Sequence, residues 1–278
     1  MRPPSFDGVF PNADYDFEEA DEILNESFTS FEIGYGFRSS NFKGTINAYH
    51  TVWGDRTLRR STSIDDQGVR IIYSGVEQTH QGIEGEMTWY PSSRLRVKGM
   101  FSLGDWKYTK NFQGDAYFID NNQPAGTTGT LYLDGVKIGD AAQTVLYLGF
   151  DYKVSSKLSV DLDMMSYDNL HGRFGPLDSE FNSANNRGSI KLPSWGTADL
   201  GATYSFSLLG YDARARLNVN NLFDEEYLSQ SQTNFHNDGG RTWNGINVEN
   251  NVYFGKGTTW NLGPVSYTHL TLPTNREV

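Results

Sequence analysis

The sequence has no cysteine and comparatively few positively charged residues. The absence of cysteine excludes disulfide frameworks, thiolate zinc sites and thiol nucleophiles. The 23 Lys and Arg residues stand against 34 Asp and Glu, a net charge of -11. This argues against nucleic acid as a partner, because phosphate backbones are bound by basic surfaces. Apolar runs of about 18 residues, the length that membrane helices need, are also missing. A β-barrel is not excluded, because its strands alternate between apolar and polar residues.

Signals of catalysis, metal binding and export are missing as well. No G-x-S-x-G nucleophile elbow occurs, and residues 255–259 lack the glycine spacing of a phosphate-binding loop. The histidines, at positions 50, 80, 171, 236 and 269, include no pair four residues apart. We therefore predict no enzymatic activity, no cofactor and no metal site. The N-terminus lacks a basic region followed by an apolar stretch, so either the protein is not exported or Met1 is not its natural start.

Apolar and polar residues alternate along most of the chain with the period of a β-strand. In the clearest segment, 211–221, aliphatic residues alternate with Arg214, Arg216, Asn218 and Asn220. The pattern predicts nine strands, at 28–38, 42–53, 77–90, 94–103, 142–152, 157–165, 195–206, 211–221 and 252–262. No segment has a convincing helical periodicity, so the sequence predicts an all-β fold.

The links between the predicted strands fall into two length classes that alternate strictly. Short links lie at 38–41, 91–93, 154–156 and 207–210, and long links at 54–76, 108–141, 169–194 and 222–251. In an antiparallel up-and-down sheet, all long loops then emerge at one end and all tight turns at the other. Short periplasmic turns and long extracellular loops are typical of a transmembrane β-barrel, whereas a soluble sandwich has no reason to separate its loops in this way.

The tryptophans support the same interpretation. Trp53, Trp89, Trp106, Trp195 and Trp260 lie at or near predicted strand ends. Aromatic girdles at both membrane interfaces are a feature of transmembrane barrels. Aromatic residues also cap the cores of soluble β-sandwiches, so this placement counts only together with the loop lengths and the polar faces of the strands.

Three stretches resemble motifs of one protein family, the TonB-dependent outer-membrane receptors. Residues 216–227, RLNVNNLFDEEY, resemble the NVxNLFDxxY signature near the end of these receptors. Residues 192–206, LPSWGTADLGATYSF, resemble the LPSYxxxDLGxxYxF strand that precedes it. Residues 31–37 and 47–49 resemble the FExGYxxR and NAYxT parts of a hairpin in the same barrels. We expect the first motif to be structural, with solvated carboxylates at 224–226 and Tyr227 as an anchor for the following loop.

The resemblance implies a fold and a function. The complete family barrel has 22 strands around a plug, so the nine predicted strands would be its C-terminal portion. The match is best to receptors of the Bacteroidetes group. Such a receptor lies in the outer membrane of a Gram-negative bacterium, binds a scarce nutrient and imports it with energy relayed by TonB. The implied partners are membrane lipid, a small nutrient (a ferric siderophore, cobalamin or a glycan), and TonB through the missing N-terminal region and plug.

The resemblance also divides the chain. Residues 1–27 are expected to be an extracellular loop segment, 28–263 a partial receptor barrel, and 264–278 a non-native tail. The tail interpretation rests on residues 265–274, VSYTHLTLPT, which resemble the translation of a transposon-type sequencing adapter. A natural polar tail is the alternative.

Ligand-binding residues are expected in the long loops, where rigid scaffolds carry function. The candidates are the aromatic, arginine and histidine side chains His171, Arg173, Phe174, Phe235, His236, Arg241 and Trp243. They are suited to hold a ligand by stacking and charge, or alternatively to fold the loops onto one another. Arginines 94, 96, 214 and 216 are expected to face the lumen and either to favour the passage of anions or to pair with carboxylates of plug and barrel.

Two other functions remain open at this point. A passive porin-type barrel without a plug is the alternative within the membrane. A soluble carbohydrate-binding β protein, or a fragment of a glycoside hydrolase, is the alternative outside it.

Overall fold

The computed structural model describes residues 25–121, 123–125, 129–175, 178–208 and 211–266. The strands are β1 Ser27–Arg38, β2 Phe42–Ile64, β3 Gln67–Trp89, β4 Leu95–Tyr108, β5 Phe112–Phe118, β6 Gly129–Leu131, β7 Thr144–Lys153, β8 Leu158–Asp168, β9 Trp195–Leu208, β10 Tyr211–Asn220, β11 Leu228–Ser231, β12 Thr242–Trp243, β13 Ile246–Asn247, β14 Val252–Phe254 and β15 Thr259–Ser266. One 3₁₀ helix covers Ser179–Asn182. In the described part of the chain, no helix is both long and apolar enough to cross a membrane.

One antiparallel sheet dominates the structure, and it confirms the predicted all-β fold. Its strands follow the order β1-β2-β3-β4-β7-β8-β9-β10-β15, and the short strands β5 and β6 extend it beside β3. Successive long strands are neighbours, as in an up-and-down arrangement. Within the described residues β1 and β15 each have one neighbour, so the sheet is open.

The strand register puts apolar side chains on one face of the sheet, which we call the apolar face. In one stretch Leu217 lies opposite Ala202 on one side and opposite Leu262 on the other. Exposed members of this face occur on nearly every long strand: Ile33, Ile46, Ile83, Leu103, Leu146, Leu200, Leu217 and Leu262. Soluble monomers rarely expose a continuous apolar surface of this extent. The opposite, polar face carries most of the charged residues of the long strands.

The two ends of the sheet differ as the link lengths predict. At one end, the turn end, serine side chains close short turns: the Ser92 hydroxyl accepts hydrogen bonds from the Arg94 and Leu95 amides, both at 3.2 Å. Ser155 does the same for the amides of residues 157 and 158. The other end, the loop end, carries the long connections.

The prediction that residues 54–76 form a loop is wrong. β2 and β3 continue through it as a paired hairpin that turns at Asp65 and Asp66, whose φ angles are 48° and 62°. Two successive residues with positive φ are the requirement of a tight hairpin turn whose twist matches the strands. The register shifts between Trp53 and Leu58. Such an irregularity interrupts the period-two pattern and hides the continuation of the strand.

The prediction of one strand over residues 252–262 is also wrong, because two separate strands lie in this part of the chain. β14 pairs with β11, whereas β15 begins at Thr259 and pairs with β10. Between them, the Asp224 carboxylate accepts a hydrogen bond from the Thr258 amide at 2.8 Å. β15 continues to Ser266, past the predicted end of the barrel segment. Residues 1–24 and 267–278, on which the predicted loop segment and tail mainly fall, lie outside the described residues.

The buried cores lie at the loop end rather than within the sheet. The larger core joins the β2–β3 extension to β5, β6 and the 3₁₀ helix, and its fully buried residues include Val69, Tyr73, Val76, Leu131, Leu133 and Phe181. A smaller core of Leu170, Ile190, Leu192 and Leu228 joins the loop after β8 to the segment after β10. The long connections are therefore packed against one another and hold a defined shape.

Candidate functional site

An aromatic and cationic group of side chains lies on the polar face at the loop end. We call it the polar-face cluster, and its members are Tyr49, Trp53, Arg56, His80 and Trp106. The register brings β2, β3 and β4 together here, because His80 pairs with Thr51 on one side and with Trp106 on the other. The cluster therefore forms across three neighbouring strands.

Glycines make room for the rings of Tyr49 and Trp106. The indole Nε1 of Trp106 donates to the Tyr49 hydroxyl at 2.9 Å across the intervening strand, and the Trp106 ring lies 5.5 Å from that of His80. A Cβ at Gly82 would lie 2.7 Å from the Tyr49 hydroxyl oxygen, and one at Gly104 would lie 2.8 Å from Nε1 of Trp106. The Tyr49 ring therefore needs a glycine on the neighbouring strand β3, and the Trp106 ring needs one on its own strand β4.

Trp53 is held from two sides. Its ring stacks on Phe28 with centroids 5.1 Å apart, and its Nε1 donates to Glu26 at 3.1 Å. The guanidinium carbon of Arg56 lies 3.9 Å from the centre of the Trp53 ring, which is cation–π geometry. Arg56 thus presents its charge beside a fixed aromatic surface.

Two nitrogen atoms of the cluster lack a partner. Within the described residues, Nε of Arg56 and Nε2 of His80 are buried and make no hydrogen bond. A buried polar atom left unpaired costs about 1–3 kcal/mol, so both atoms call for an explanation. The arrangement suits a ligand that carries negative charge beside a flat or apolar portion, since arginine binds anions strongly and aromatic rings stack.

Nearer the turn end, the polar face carries ion pairs. Arg96 donates to Asp151 at 2.9 Å, with Lys98 3.5 Å from the same carboxylate. Arg216 donates to both oxygens of Asp161, at 2.8 and 2.9 Å. The predicted pairing of these two arginines with barrel carboxylates is confirmed.

The two histidines that are predicted to bind a ligand hold loops together. His171 Nδ1 lies 3.3 Å from the Ser189 carbonyl oxygen, and His236 Nε2 lies 2.9 Å from that of Gly188. Burial is the largest cause that lowers the pKa of His171. Both rings therefore connect segments that are distant in sequence within the packed loops.

Two of the predicted aromatic residues are also packed inside the loops. Phe174 lies 4.2 Å from the Phe181 ring and 5.8 Å from that of Tyr108, at the edge of the larger core. Trp243 meets Phe254 edge to face at 5.1 Å and packs against the smaller core. Their contacts are those expected of residues that fold the loops onto one another.

The remaining candidates are more exposed. Phe235 is 51% exposed, Arg241 is also exposed, and Arg173 lies 3.8 Å from the Asp140 carboxylate. A ligand-binding role for the seven loop residues stays a prediction. No group of three or more His, Asp or Glu side chains is arranged for a metal ion in the residues that the structure describes.

Arg187 clamps two of the long loops. It donates to Glu180 at 2.8 Å within the loop 169–194 and to Asp238 at 2.5 Å in the next long loop. The hydrogen bonds from Arg187 lower the pKa of Glu180 from 4.5 to about 2. Because the folded-state pKa is depressed, the stabilisation is present above about pH 4.5 and is lost as the pH falls towards 2.

We expect Arg187→Gln to loosen the loop end without unfolding the sheet. Proteinase K should cut the loops around Glu180 and Asp238 severalfold faster at pH 7, and the difference from the unsubstituted chain should shrink as acid protonates Glu180. The matched control is Arg173→Gln, which removes only a 3.8 Å contact. Equal digestion of the two variants at pH 7 would contradict the clamp.

The polar-face cluster was missed at the level of sequence, although a signal for it existed. We expect Trp53 and Trp106 in membrane girdles, and this is wrong for both, as it is for Trp195, which pairs with Tyr167 on the same polar face. Trp53 is in phase with Thr51, and Trp106 with Lys98, on the polar side of the alternation. The alternation of apolar and polar residues along each strand assigns both tryptophans to the polar face. Their distance from a strand end does not show this.

Comparison with known proteins agrees with this architecture. The family model described as "TonB dependent receptor-like, beta-barrel" matches residues 1–222. No match was found among curated protein sequences.

Several solved structures share the fold. BauA, the ferric preacinetobactin receptor from Acinetobacter baumannii, is 19% identical with a TM-score of 0.60, and the alignment covers 92% of this chain and 31% of that one. The copper transporter OprC is 13% identical with a TM-score of 0.58, covering 96% and 35%. The iron transporter FrpB from Neisseria meningitidis is 15% identical with a TM-score of 0.53, covering 86% and 31%. This chain thus spans about a third of the length of these structures, and it belongs to the TonB-dependent receptor-like β-barrel family.

Proposed function

We propose that the chain is part of an active transporter in the outer membrane of a Gram-negative bacterium, which binds a scarce nutrient and imports it with energy relayed by TonB. The observation that carries this proposal is the polar-face cluster, in which the charge of Arg56 and the ring of His80 lie beside fixed aromatic rings. The apolar face favours a membrane over the soluble carbohydrate-binding alternative, since exposed aliphatic residues occur across the whole sheet.

The cluster favours an anionic chelate among the three nutrients considered. Arg56 lies against Trp53, a combination that receives a negatively charged group next to a flat one, whereas a neutral glycan carries no charge for the arginine to bind. Two of the similar structures are those of a ferric preacinetobactin receptor and an iron transporter, which is consistent with this choice. The expected role of the protein is binding and transport, with no covalent chemistry.

The test uses the receptor expressed from its complete reading frame and purified in detergent. Ferric tris(2,3-dihydroxybenzoate), cyanocobalamin and maltohexaose are titrated while tryptophan fluorescence is followed. We expect the anionic ferric chelate to bind, and Arg56→Gln to weaken it by about 10- to 100-fold, since a hydrogen bond to a charged group contributes about 1.5–3 kcal/mol.

The matched control for this titration is Trp89→Phe. Trp89 lies on the apolar face near the turn end, and its replacement should leave the dissociation constant unchanged. Two results would contradict the assignment of the cluster. One is tighter binding of maltohexaose than of the chelate, and the other is equal affinity of the chelate for the Arg56→Gln and Trp89→Phe variants.

A further inference from the structure

A bulge lies beside Trp106 in the segment of chain that leads into β7. The pairing of β4 with β7 ends where Leu103 is opposite Thr144. Beyond this point Lys107 pairs with Lys137, three residues further from β7 than a continuous register requires. The extra residues interrupt the backbone pairing of β4 at the level of Trp106. Bulges of this kind re-aim side chains and are common next to functional sites.

The side chain of Gln143 bridges the interruption. Gln143 is only 1% exposed, and its Oε1 accepts a hydrogen bond from the Trp106 amide at 2.9 Å. Its Nε2 donates to the carbonyl oxygens of Trp106 and Ile138, at 3.0 and 3.1 Å. Both hydrogens and the oxygen of the side-chain amide are therefore used. One buried side chain thus holds both the amide and the carbonyl group of Trp106.

This grip on the backbone bears on the Trp106 ring. The Gly104 amide donates to the Gln143 carbonyl oxygen at 2.6 Å, so Gln143 holds β4 on both sides of Asp105. The indole of Trp106 lies against Gly104, and its Nε1 donates to the Tyr49 hydroxyl at 2.9 Å. A displacement of the ring by about 1 Å would take this pair out of the range of about 2.7–3.2 Å in which such hydrogen bonds form.

We propose that Gln143 is a positioning residue of the polar-face cluster, which holds Trp106 so that its indole N–H fixes the Tyr49 hydroxyl towards the ligand. The proposal rests on the proposed function, since the ligand is the anionic chelate assigned there. A hydroxyl that accepts one hydrogen bond keeps its own hydrogen to donate, and hydrogen bonds to anions are the stronger kind. Gln143 therefore acts on the ligand through Trp106 and Tyr49, without touching it.

A double-mutant cycle on chelate affinity tests this role. The receptor, expressed from its complete reading frame and held in detergent, is titrated with ferric tris(2,3-dihydroxybenzoate). Tyr49→Phe should weaken binding about tenfold, the effect of one lost hydrogen bond to a charged group. Gln143→Met, which removes the hydrogen bonds of the side chain, should weaken it by about 3- to 10-fold. Because Gln143 acts through Tyr49, the double variant should bind as the Tyr49→Phe variant does.

The indole N–H of Trp106 provides a second measurement, which needs no ligand. In receptor that contains isotope-labelled tryptophan, its NMR signal is the one that Trp106→Phe removes. In Gln143→Met we expect this N–H to exchange with deuterium about tenfold faster, because its hydrogen bond to Tyr49 opens more often. The indole N–H of Trp53, which donates to Glu26 at 3.1 Å, should keep its rate and serves as the internal control.

Asn221→Gly is the matched control for a merely structural effect. Asn221 binds the amide and the carbonyl group of Glu225 and the carbonyl group of Lys256, the same set of three hydrogen bonds that Gln143 makes around Trp106. Its loss should lower stability and change neither chelate affinity nor the exchange of the Trp106 indole. If Gln143→Met does not fold, Gln143→Glu replaces it, since glutamate still accepts from the Trp106 amide but loses the donations.

Three results would overturn the proposal. An unchanged exchange rate of the Trp106 indole in the Gln143 variant would show that Gln143 does not hold the ring. A double variant weakened by the product of the two single effects would show that Gln143 and Tyr49 act independently. An equal loss of affinity in Asn221→Gly would reduce the effect to a general loss of stability. Failure of the chelate to bind the unsubstituted receptor would instead contradict the proposed function, and the exchange rate would still decide the role of Gln143.

Discussion

Replacing Asn221 by alanine is expected to lower the free energy of unfolding by about 3 kcal/mol, since it removes three part-buried hydrogen bonds that contribute about 1 kcal/mol each. Asn221 is 5% exposed. Its Nδ2 donates to the carbonyl oxygens of Glu225 and Lys256, both at 3.0 Å, and its Oδ1 accepts from the Glu225 amide at 2.9 Å. One side chain thus fixes the exit of β10 and the approach to β15.

The backbone of Asn221 adds to this effect. Its φ is 48°, a conformation that asparagine tolerates better than alanine does. Its carbonyl oxygen accepts a 2.6 Å hydrogen bond from the Thr258 hydroxyl, one residue before β15 begins. Asn221→Gly separates the two contributions, because glycine adopts positive φ freely but makes no side-chain hydrogen bond. We expect Asn221→Gly to be more stable than Asn221→Ala, but only by the conformational part of the lost free energy, which is the smaller part.

The measurement is urea unfolding of the receptor, expressed from its complete reading frame and held in detergent micelles. The control is Asn218→Ala, which removes an exposed side-chain contact to Asn261 at 2.9 Å. Exposed substitutions of this kind usually change stability by about 0.5 kcal/mol or less. If Asn221→Ala and Asn218→Ala have the same midpoint, Asn221 does not hold the strand junction.

The motif around Asn221 shows how far sequence reasoning reaches. Its interpretation as a structural element with Tyr227 as an anchor is confirmed, since the Tyr227 ring stacks on Trp195 at 3.8 Å. Alternation also located most of the long strands, because one face of each is mainly apolar, but it failed at residues 54–76 and 252–262. Both signals are local, so they can be read from a few neighbouring residues.

The features that sequence reasoning missed depend on contacts between distant segments. The hydrogen bond from Trp106 to Tyr49 crosses β3, and no local pattern indicates it. His236 reaches the carbonyl oxygen of Gly188, a residue of a different long loop. The β2–β3 extension was hidden by a register shift near Trp53. Pairing of strands and packing of loops therefore decided where the candidate site lies.

A charge on the apolar face distinguishes a membrane barrel from a soluble β protein. Leu146, the third residue of β7, is 48% exposed and lies opposite Phe101 in the middle of β4. In a lipid bilayer, Leu146→Arg should destabilise the receptor by about 2–4 kcal/mol, the cost of arginine near the bilayer midplane of a barrel. In a soluble protein, the same exposed substitution should cost about 0.5 kcal/mol or less.

Ser102→Arg is the matched control at the same level of the sheet. Ser102 follows Phe101 but lies on the polar face, directly opposite Glu84, so an arginine there gains an acidic neighbour and avoids lipid. Both variants are refolded into phosphatidylcholine vesicles and unfolded with guanidinium chloride, with tryptophan fluorescence as the signal. A loss of stability for Leu146→Arg but not for Ser102→Arg assigns the apolar face to lipid. Equal stability of the two variants contradicts a transmembrane wall, because in a bilayer the arginine at 146 would lie in lipid whereas the one at 102 would not.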